Sequence, residues 1–595
     1  MKRKILSVIL LITTIICLSS CSDLLDKKPL DKISSEDVWN NKGLIDMYMI
    51  DLYARIVNSY LTYVDSRDDQ MTDNLVSDAY GMNIVYETIN NTYNAGFNQY
   101  SNIVRINTAI EGIESSTLLH PDVQRELLAE AKMFRAIVYH WMVRRFGGVM
   151  KVDKVLDPND EMKLSRTPEK EMYDFIISDM EYATENMTTQ KVVGRLNRAA
   201  AHAFLIRVQL DARRYDDVIR ESEDFLKTKA SYGYSIDDDY QSVFNDFDGV
   251  NSDEVIFVRY ANNSGMNIIS SPMQWTLPLS NKERADPSCD WSNIKVSMYG
   301  WAQFFPSQQL VDDYEVIDDD GQAKNWWETN LWKNKTAGAN ATDIMWKNRD
   351  KRFYASILYD GCTFLGDKYI MRYPYFPYRG CMATSQHYAM TGYLIRKGCP
   401  ENMTSFSSSN FPIDYHWVIF RLGEVYLNYA EALIRKGRGA DAIPYLNELR
   451  AKHGGLPPIT GTTDLLNKYK RERRVEMFHE QDRYWALLRW GKEEGGAVIP
   501  ELNENPRYID ISPDGSTYYI ATVNGVLPEG FTNDYYGNSD YLENPGNYGN
   551  PAGAKVYNRG SIIPDRRFTT KRYFFPIPKS QIDANPNLTQ NEGWN

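Results

Sequence analysis

The chain has 595 residues and a formal net charge of −12, so a polyanionic partner such as nucleic acid meets net repulsion, which argues against a nucleic-acid role. Aromatic residues make up 13% of it, with 41 Tyr and 13 Trp, rings that serve equally as core filler and as stacking platforms for ligands. Its length suits one large domain or two to three ordinary ones.

At the front, Lys2, Arg3 and Lys4 precede an apolar run from Ile5 to Ile16 that closes on Leu18, Ser19, Ser20 and Cys21. That run falls short of the roughly 20 residues a membrane-spanning helix needs, and no later run is long enough. The pattern resembles the bacterial lipobox, which implies that residues 1–20 are a lipoprotein signal peptide and that Cys21 is lipidated. Each buried methylene of an acyl chain contributes on the order of 0.8 kcal/mol, and two or more chains anchor stably. Loss of the three basic residues takes the formal charge from −12 to −15. Residues 21–35, polar and containing Pro29, read as a tether. Ser35 ahead of Glu36 and Asp37 is a candidate cap for the first helix.

Helical periodicity is strong in residues 36–230. Leu127, Ala131, Phe134, Val138 and Trp141 form one apolar stripe on a helix expected to stop at Gly147 and Gly148. Ala201, Phe204, Leu205 and Val208 lead through Arg213 to Val218, Ser222 and Phe225, and this helix-turn-helix texture resembles a tetratricopeptide unit. A second such pair runs from Leu422, Tyr426, Tyr429 and Leu433 through Gly437 to Ala442 and Leu446. The block from Tyr469 to Trp490, rich in Arg and Glu, reads as a packed helix with intrahelical ion pairs. Between these helical parts, residues 231–413 turn to Gly, Pro, Asn, Asp and aromatic residues with short strand-like runs such as Val255 to Tyr260, a loop-rich insert of the kind that carries binding residues. The predicted class is mainly α: a tetratricopeptide-like helix-pair scaffold, with the insert between its parts at 36–230 and 414–595.

Catalytic patterns fail one by one. His479-Glu480 opens a zincin-like motif, but Arg483 stands where the second His belongs. Gly537-Asn538-Ser539-Asp540 lacks the last glycine of a nucleophile elbow, because Tyr541 occupies it. Asp318, Asp319, Asp320 and Gly321 suggest a calcium loop, yet Val316 and Trp327 fill its first and twelfth positions. No metal, cofactor or catalytic residue is assigned, although 79 acidic residues leave a glycosidase-like carboxylate pair open. Cys289, Cys362, Cys381 and Cys399 fit no zinc spacing and are equally compatible with disulfides and free thiols.

Six ordered motifs give the chain a family resemblance. They are Phe97, Tyr100, Ile103 and Asn107; Glu130, Ala131, Arg135, Ala136 and Tyr139 with Phe146 to Gly148; and Pro306, Gln309, Leu310, Asp312 and Tyr314 with Asp320-Gly321. Then come Thr391-Gly392-Tyr393 with Arg421, Glu424, Tyr426, Leu427 and Ala430-Glu431-Ala432; Glu472, Arg473, Glu476, Glu480 and Arg483 to Trp490, with Ala486 where Asp is usual; and Pro576-Ile577-Pro578 with Asn585, Pro586, Leu588, Gln590, Asn591 and Gly593. In this order they resemble the SusD/RagB family of surface nutrient-binding lipoproteins from Bacteroidota. The resemblance implies a SusD-like fold, an outer-membrane location facing the cell exterior, and delivery of bound oligosaccharide or polysaccharide to a SusC-like TonB-dependent transporter. Peptide or another nutrient is the alternative ligand on the same fold, and a glycoside hydrolase the more distant one.

The resemblance also implies a shallow site made by loops outside the helices. In the corresponding stretches the residues suited to sugars, rings for apolar faces and carboxylates for hydroxyls, are Asp73, Asp78, Tyr80 and Tyr86, then Trp275, Trp291, Tyr299 and Trp301. Tyr369, Arg372, Tyr373, Tyr375, Tyr378 and Arg379 form a second candidate group. Most of the motif residues themselves read as scaffold, with Arg and Glu paired inside the helical stack.

Overall fold

The computed structural model describes residues 38–61, 67–77, 82–157, 159–261, 276, 300, 302–334, 345–371, 389, 391–399, 401, 415–511, 518–522 and 565–595. Ser35 to Asp37 lie outside them; the first long helix, α1 (Lys42–Ile56), is capped by Asn41, whose Oδ1 accepts the Leu44 amide. A short strand β1 (Leu75–Val76) and helix α2 (Tyr100–Ser115) follow.

Helix α3 (Pro121–Phe146) begins with proline at its first position, where no amide partner is needed, and stops at Gly147, whose φ of 68° is the left-handed region that glycine enters freely. Leu127, Ala131, Phe134 and Val138 are buried as the periodicity predicts, and Trp141 is half-buried. Helix α4 (Glu169–Asn186) packs on α3, α5 (Arg198–Asp211) on α4, and α6 (Tyr215–Thr228) on α5. Asn197 caps α5, and Arg213, in the left-handed conformation, makes the turn between α5 and α6.

The insert leaves along β2 (Val255–Ala261), whose antiparallel partner is a strand on the far side of the insert. It contains β3 (Phe305–Pro306) and α7 (Gln308–Asp313), capped by Ser307. It returns along β4 (Tyr415–Arg421), so one ladder running from Tyr415↔Ala261 to Arg421↔Val255 closes the root of the loop-rich region. β4 runs directly into α8 (Leu422–Arg435), which with α9 (Gly439–Leu449) makes the second helix pair, turned at Gly437. α6 packs on α8, so the helical stack continues across the insert as if it were absent.

The Arg/Glu-rich block departs from the expectation of one helix with internal ion pairs. It is two helices, α10 (Leu465–Glu476) and α11 (Arg483–Glu493), separated by a turn in which His479 and Gln481 both have positive φ. Its charges reach outward. Glu476 accepts from Arg421 at 2.6 Å, from Arg352 at 2.8 Å and from His453 at 2.8 Å; Glu472 accepts from Arg450 at 2.9 Å; Glu431 of α8 accepts from Arg489 at 2.7 Å. Glu254, just ahead of β2, completes the cluster through Arg421 and the other His453 nitrogen, both at 2.9 Å. These side chains are almost fully buried, so each charge is stable only because its neighbours neutralise it. Ala486, in place of the family's usual Asp, is buried with no charge to satisfy.

The terminal motif is a clamp on the end of α3. Asn591 donates to the carbonyls of Phe146 and Phe575, Gln590 pairs with both backbone groups of Ile577, and Arg166 ties Phe146 to Asn591. Pro576 and Pro578 set the chain direction there without needing amide partners.

Candidate functional site

Residues of the first sequence segment and of the insert meet at one two-stranded ladder. Leu75 pairs with Pro306 and Val76 with Phe305, antiparallel. In that register the chain departs from Ser77 toward Asp78 and Tyr80 at the same end of the ladder where it arrives from Tyr299 and Trp301. The two segments that carry most of the sequence-predicted site residues are therefore attached side by side. Asp78, Tyr80, Trp275, Trp291, Tyr299 and Trp301 themselves lie outside the described residues, as do Cys21, Arg372, Tyr373, Tyr375, Tyr378 and Arg379.

Asp73 stands at the other end of this ladder and is 2% exposed. Its carboxylate takes Arg474 at 2.8 Å and Arg483 at 3.1 Å. Burial alone raises a carboxyl pKa; here Arg474 and Arg483 outweigh it and hold Asp73 below the usual range. Sequence reasoning offered Asp73 as a hydroxyl acceptor for sugar, and the structure gives it to two guanidiniums. Tyr86 is half-buried against the main core, and Tyr369, at 1% exposure, is core and not a platform.

Beside Asp73 opens a cleft of about 510 Å³ that sequence reasoning missed. Asp312, Trp327, Arg471, Arg474 and Arg507 share its lining with Asp73. Trp327 is half-buried and stands edge-to-face on Trp326, whose indole N–H donates to Asp312 at 2.8 Å. Asp312 also accepts from Gln308 at 2.8 Å and lies 3.5 Å from Arg507. The Trp326-Trp327 pair after the Asp320-Gly321 turn is the one signal that could have flagged it. An indole bordered by carboxylates, guanidiniums and amides offers the two surfaces a sugar ring presents, an apolar face and a rim of hydroxyls. Asp73, held ionised by its two arginines, is unsuited to act as a general acid there. Asp69, pushed up to about 7 by burial, is fully enclosed and borders a different part of the core.

Two acidic clusters bring ligand-type atoms together. Asp318, Asp319 and Asp320 converge, but Lys324 reaches Asp318 at 2.7 Å and Asp320 at 2.5 Å, and Asn330 donates to Asp318 and Asp319, so protein donors already occupy oxygens of all three carboxylates. At Glu254, His453 and Glu476 both imidazole nitrogens face carboxylates, which makes the ring a double donor with no lone pair for a metal. Burial alone would lower this His; Glu476 and Glu254 outweigh it and hold the ring at about 9. Cys362 and Cys399 are buried free thiols, both pushed up to about 12 by burial, while Cys289 and Cys381 lie outside the described residues.

Comparison with known proteins agrees with this architecture. Residues 253–594 match the model of the SusD family, and residues 23–210 match a model described as starch-binding associating with outer membrane. A SusD-like protein of Bacteroides ovatus is 24% identical over 516 residues, which covers 82% of this chain and 83% of that protein. A solved SusD-like protein of Bacteroides fragilis, 23% identical, superposes with a TM-score of 0.73 over 95% of this chain and all of its own. A SusD-like carbohydrate binding protein of the same species, 20% identical, gives 0.69 over 93% of this chain. No helix among the described residues is long and apolar enough to cross a membrane. With the family model spanning more than half its length and a solved SusD-like structure superposing over 95% of it, this chain belongs to the SusD family.

Proposed function

We propose that the protein binds oligosaccharide or polysaccharide at the cell surface, anchored through lipidated Cys21, and passes it to a TonB-dependent outer-membrane transporter. The observation that carries the reading is the β1–β3 register, which joins the segment bearing Asp78 and Tyr80 to the segment bearing Tyr299 and Trp301. Family membership and the outer-membrane description of the model over residues 23–210 support it, and one similar solved structure is of a carbohydrate binding protein. In this reading Trp275, Trp291, Tyr299 and Trp301, with Tyr80 and Tyr86, supply ring faces, Asp78 accepts hydroxyl donors, and Asp73 positions Arg474 and Arg483 at the neighbouring wall. Trp327 extends the contact into the cleft.

Affinity electrophoresis on a panel of neutral and acidic polysaccharides tests this. The wild type is retarded by at least one glycan, and Trp275→Ala, Trp291→Ala and Trp301→Ala each lose about 1–3 kcal/mol of binding, taken from aromatic stacking on a flat ligand face. Unchanged retardation in all three variants overturns the site, and retention of a peptide mixture with no glycan retarded turns the reading to a peptide ligand.

A further inference from the structure

Lys470, Arg471 and Arg474 of α10 recur at the spacing that places them on one helix face, and that face forms a wall of the cleft beside Asp73. The three cations are not equally neutralised. Arg474 is held by Asp73 at 2.8 Å and by Asp313 at 2.7 Å. Lys470 pairs with Glu494 at 2.9 Å, but that carboxylate is more than half exposed, where an ion pair contributes little. Arg471, 25% exposed, donates to two neutral acceptors, the Asp313 carbonyl at 2.7 Å and the Asp312 carbonyl at 3.2 Å. Among the described residues its nearest carboxylates are Asp313 at 4.0 Å and Glu315 at 3.9 Å, beyond hydrogen-bond reach, and these already accept from Arg474 and Arg450.

Open acceptors come from a different segment of the lining. Glu501, in the turn Pro500–Leu502, makes no hydrogen bond or ion pair with the described residues, and Glu504, half-exposed, has Arg507 only at 3.9 Å. Asp73 and Asp312, by contrast, are committed to Arg474, Arg483, Trp326 and Gln308. What the cleft leaves for a ligand is therefore cationic donors from α10, carboxylate acceptors from Glu501 and Glu504, and the indole of Trp327. A neutral sugar leaves Arg471 without a counter-charge, and a densely sulfated one brings few hydroxyls to Glu501 and Glu504. A uronic acid supplies all three parts: an apolar ring face, hydroxyl donors, and a carboxylate whose coplanar oxygens match the planar donors of a guanidinium.

Resting on the glycan reading above, we propose that the cleft takes a uronic acid residue of an acidic oligosaccharide, with its carboxylate on Arg471 and Lys470, its hydroxyls donating to Glu501 and Glu504, and its ring on Trp327. The cleft, at about 510 Å³, falls within the roughly 300–1,000 Å³ of small-ligand sites. The formal net charge of −12 is spread over the whole protein and is screened beyond about 8 Å at physiological salt, whereas Arg471 meets the carboxylate in contact.

The test is isothermal titration of detergent-solubilised full-length protein at physiological salt with galacturonate, glucuronate and alginate oligomers. Each is run beside its methyl ester, which keeps the ring and hydroxyls and removes the charge. At least one acid oligomer is expected to bind, with its ester roughly tenfold weaker. That comparison is made on the wild type, so no folding defect can imitate it. Arg471→Gln is expected to abolish the difference between acid and ester. Equal affinity for acid and ester, an acid preference that survives in Arg471→Gln, or inert uronate oligomers would each overturn the proposal. If uronates are inert while a neutral glycan binds, the glycan reading stands without this assignment; if no glycan of any charge binds, both fall.

Discussion

His453 concentrates the physical chemistry of the fold in one ring. It bridges Glu254, just ahead of β2, to Glu476 on α10, while Arg421 touches both carboxylates and the Tyr240 ring lies 5.0 Å away. Its pKa, raised from 6.5 to about 9, means that its stabilisation is fully present below about pH 6.5 and is lost as pH rises through about 9. Lys397 works in the opposite sense. Burial lowers it to about 8, so the cost of charging it is fully present below that and fades as pH rises toward 10.5. Denaturant unfolding of wild type and His453→Gln at pH 6 and pH 9 separates the two, because Lys397 is common to both proteins. The gap between wild type and variant should narrow at pH 9; a gap that is constant with pH would show that folding leaves the His453 pKa unchanged. Glu476→Ala is expected to cost about 3–5 kcal/mol, since it leaves Arg421, Arg352 and His453 charged, buried and short of a partner. That Arg and Glu of these helices would be paired was legible from their placement in an otherwise apolar helical pattern. Which partners they take was not, because the pairs join residues as far apart as Glu254 and Arg421, 167 positions, or Asp73 and Arg483, 410 positions.

At the scale of elements, the helix pairs followed from periodicity and from turn residues such as Gly437. The division of the 469–490 block did not. Its break rests on positive φ at His479 and Gln481, and Glu480 between them is held inward by Arg421 and Lys397, partners remote in sequence. The two-residue strands β1 and β3 were equally hidden, since two residues cannot display alternation. The terminal clamp yields a direct expectation. Asn591→Ala removes the donors to Phe146 and Phe575 and one acceptor of Arg166, with the exposed parts of the chain untouched. A loss of about 1–3 kcal/mol in denaturant unfolding is expected, chiefly from the Phe575 carbonyl left unpaired while Phe146 keeps Arg166; an unchanged midpoint would mean that the C-terminal segment is held by Ile577, Leu588 and Trp594 packing alone.

For the whole molecule, the helical stack is the frame to which the described part of the insert is fastened. The ladder between β2 and β4 closes the insert at its root, the buried ion cluster bolts it to α10, and α6 packing on α8 makes the stack continuous beneath it. Such a frame gives loops a rigid support, which is what the proposed binding role requires. The family and the stack were legible in six ordered motifs because those residues are scaffold. The ligand surface was legible only as residue types, because rings chosen for a sugar and rings chosen for a core are the same rings; Tyr369, taken as a candidate, proved to be core. The central claim, recognition of glycan without turnover, is tested most directly by isothermal titration of purified protein with each glycan the gels identify, with chromatography of the same mixture afterward. Saturable binding with the glycan recovered at its original length is the predicted result; shortened products, or no heat with any glycan, would contradict it.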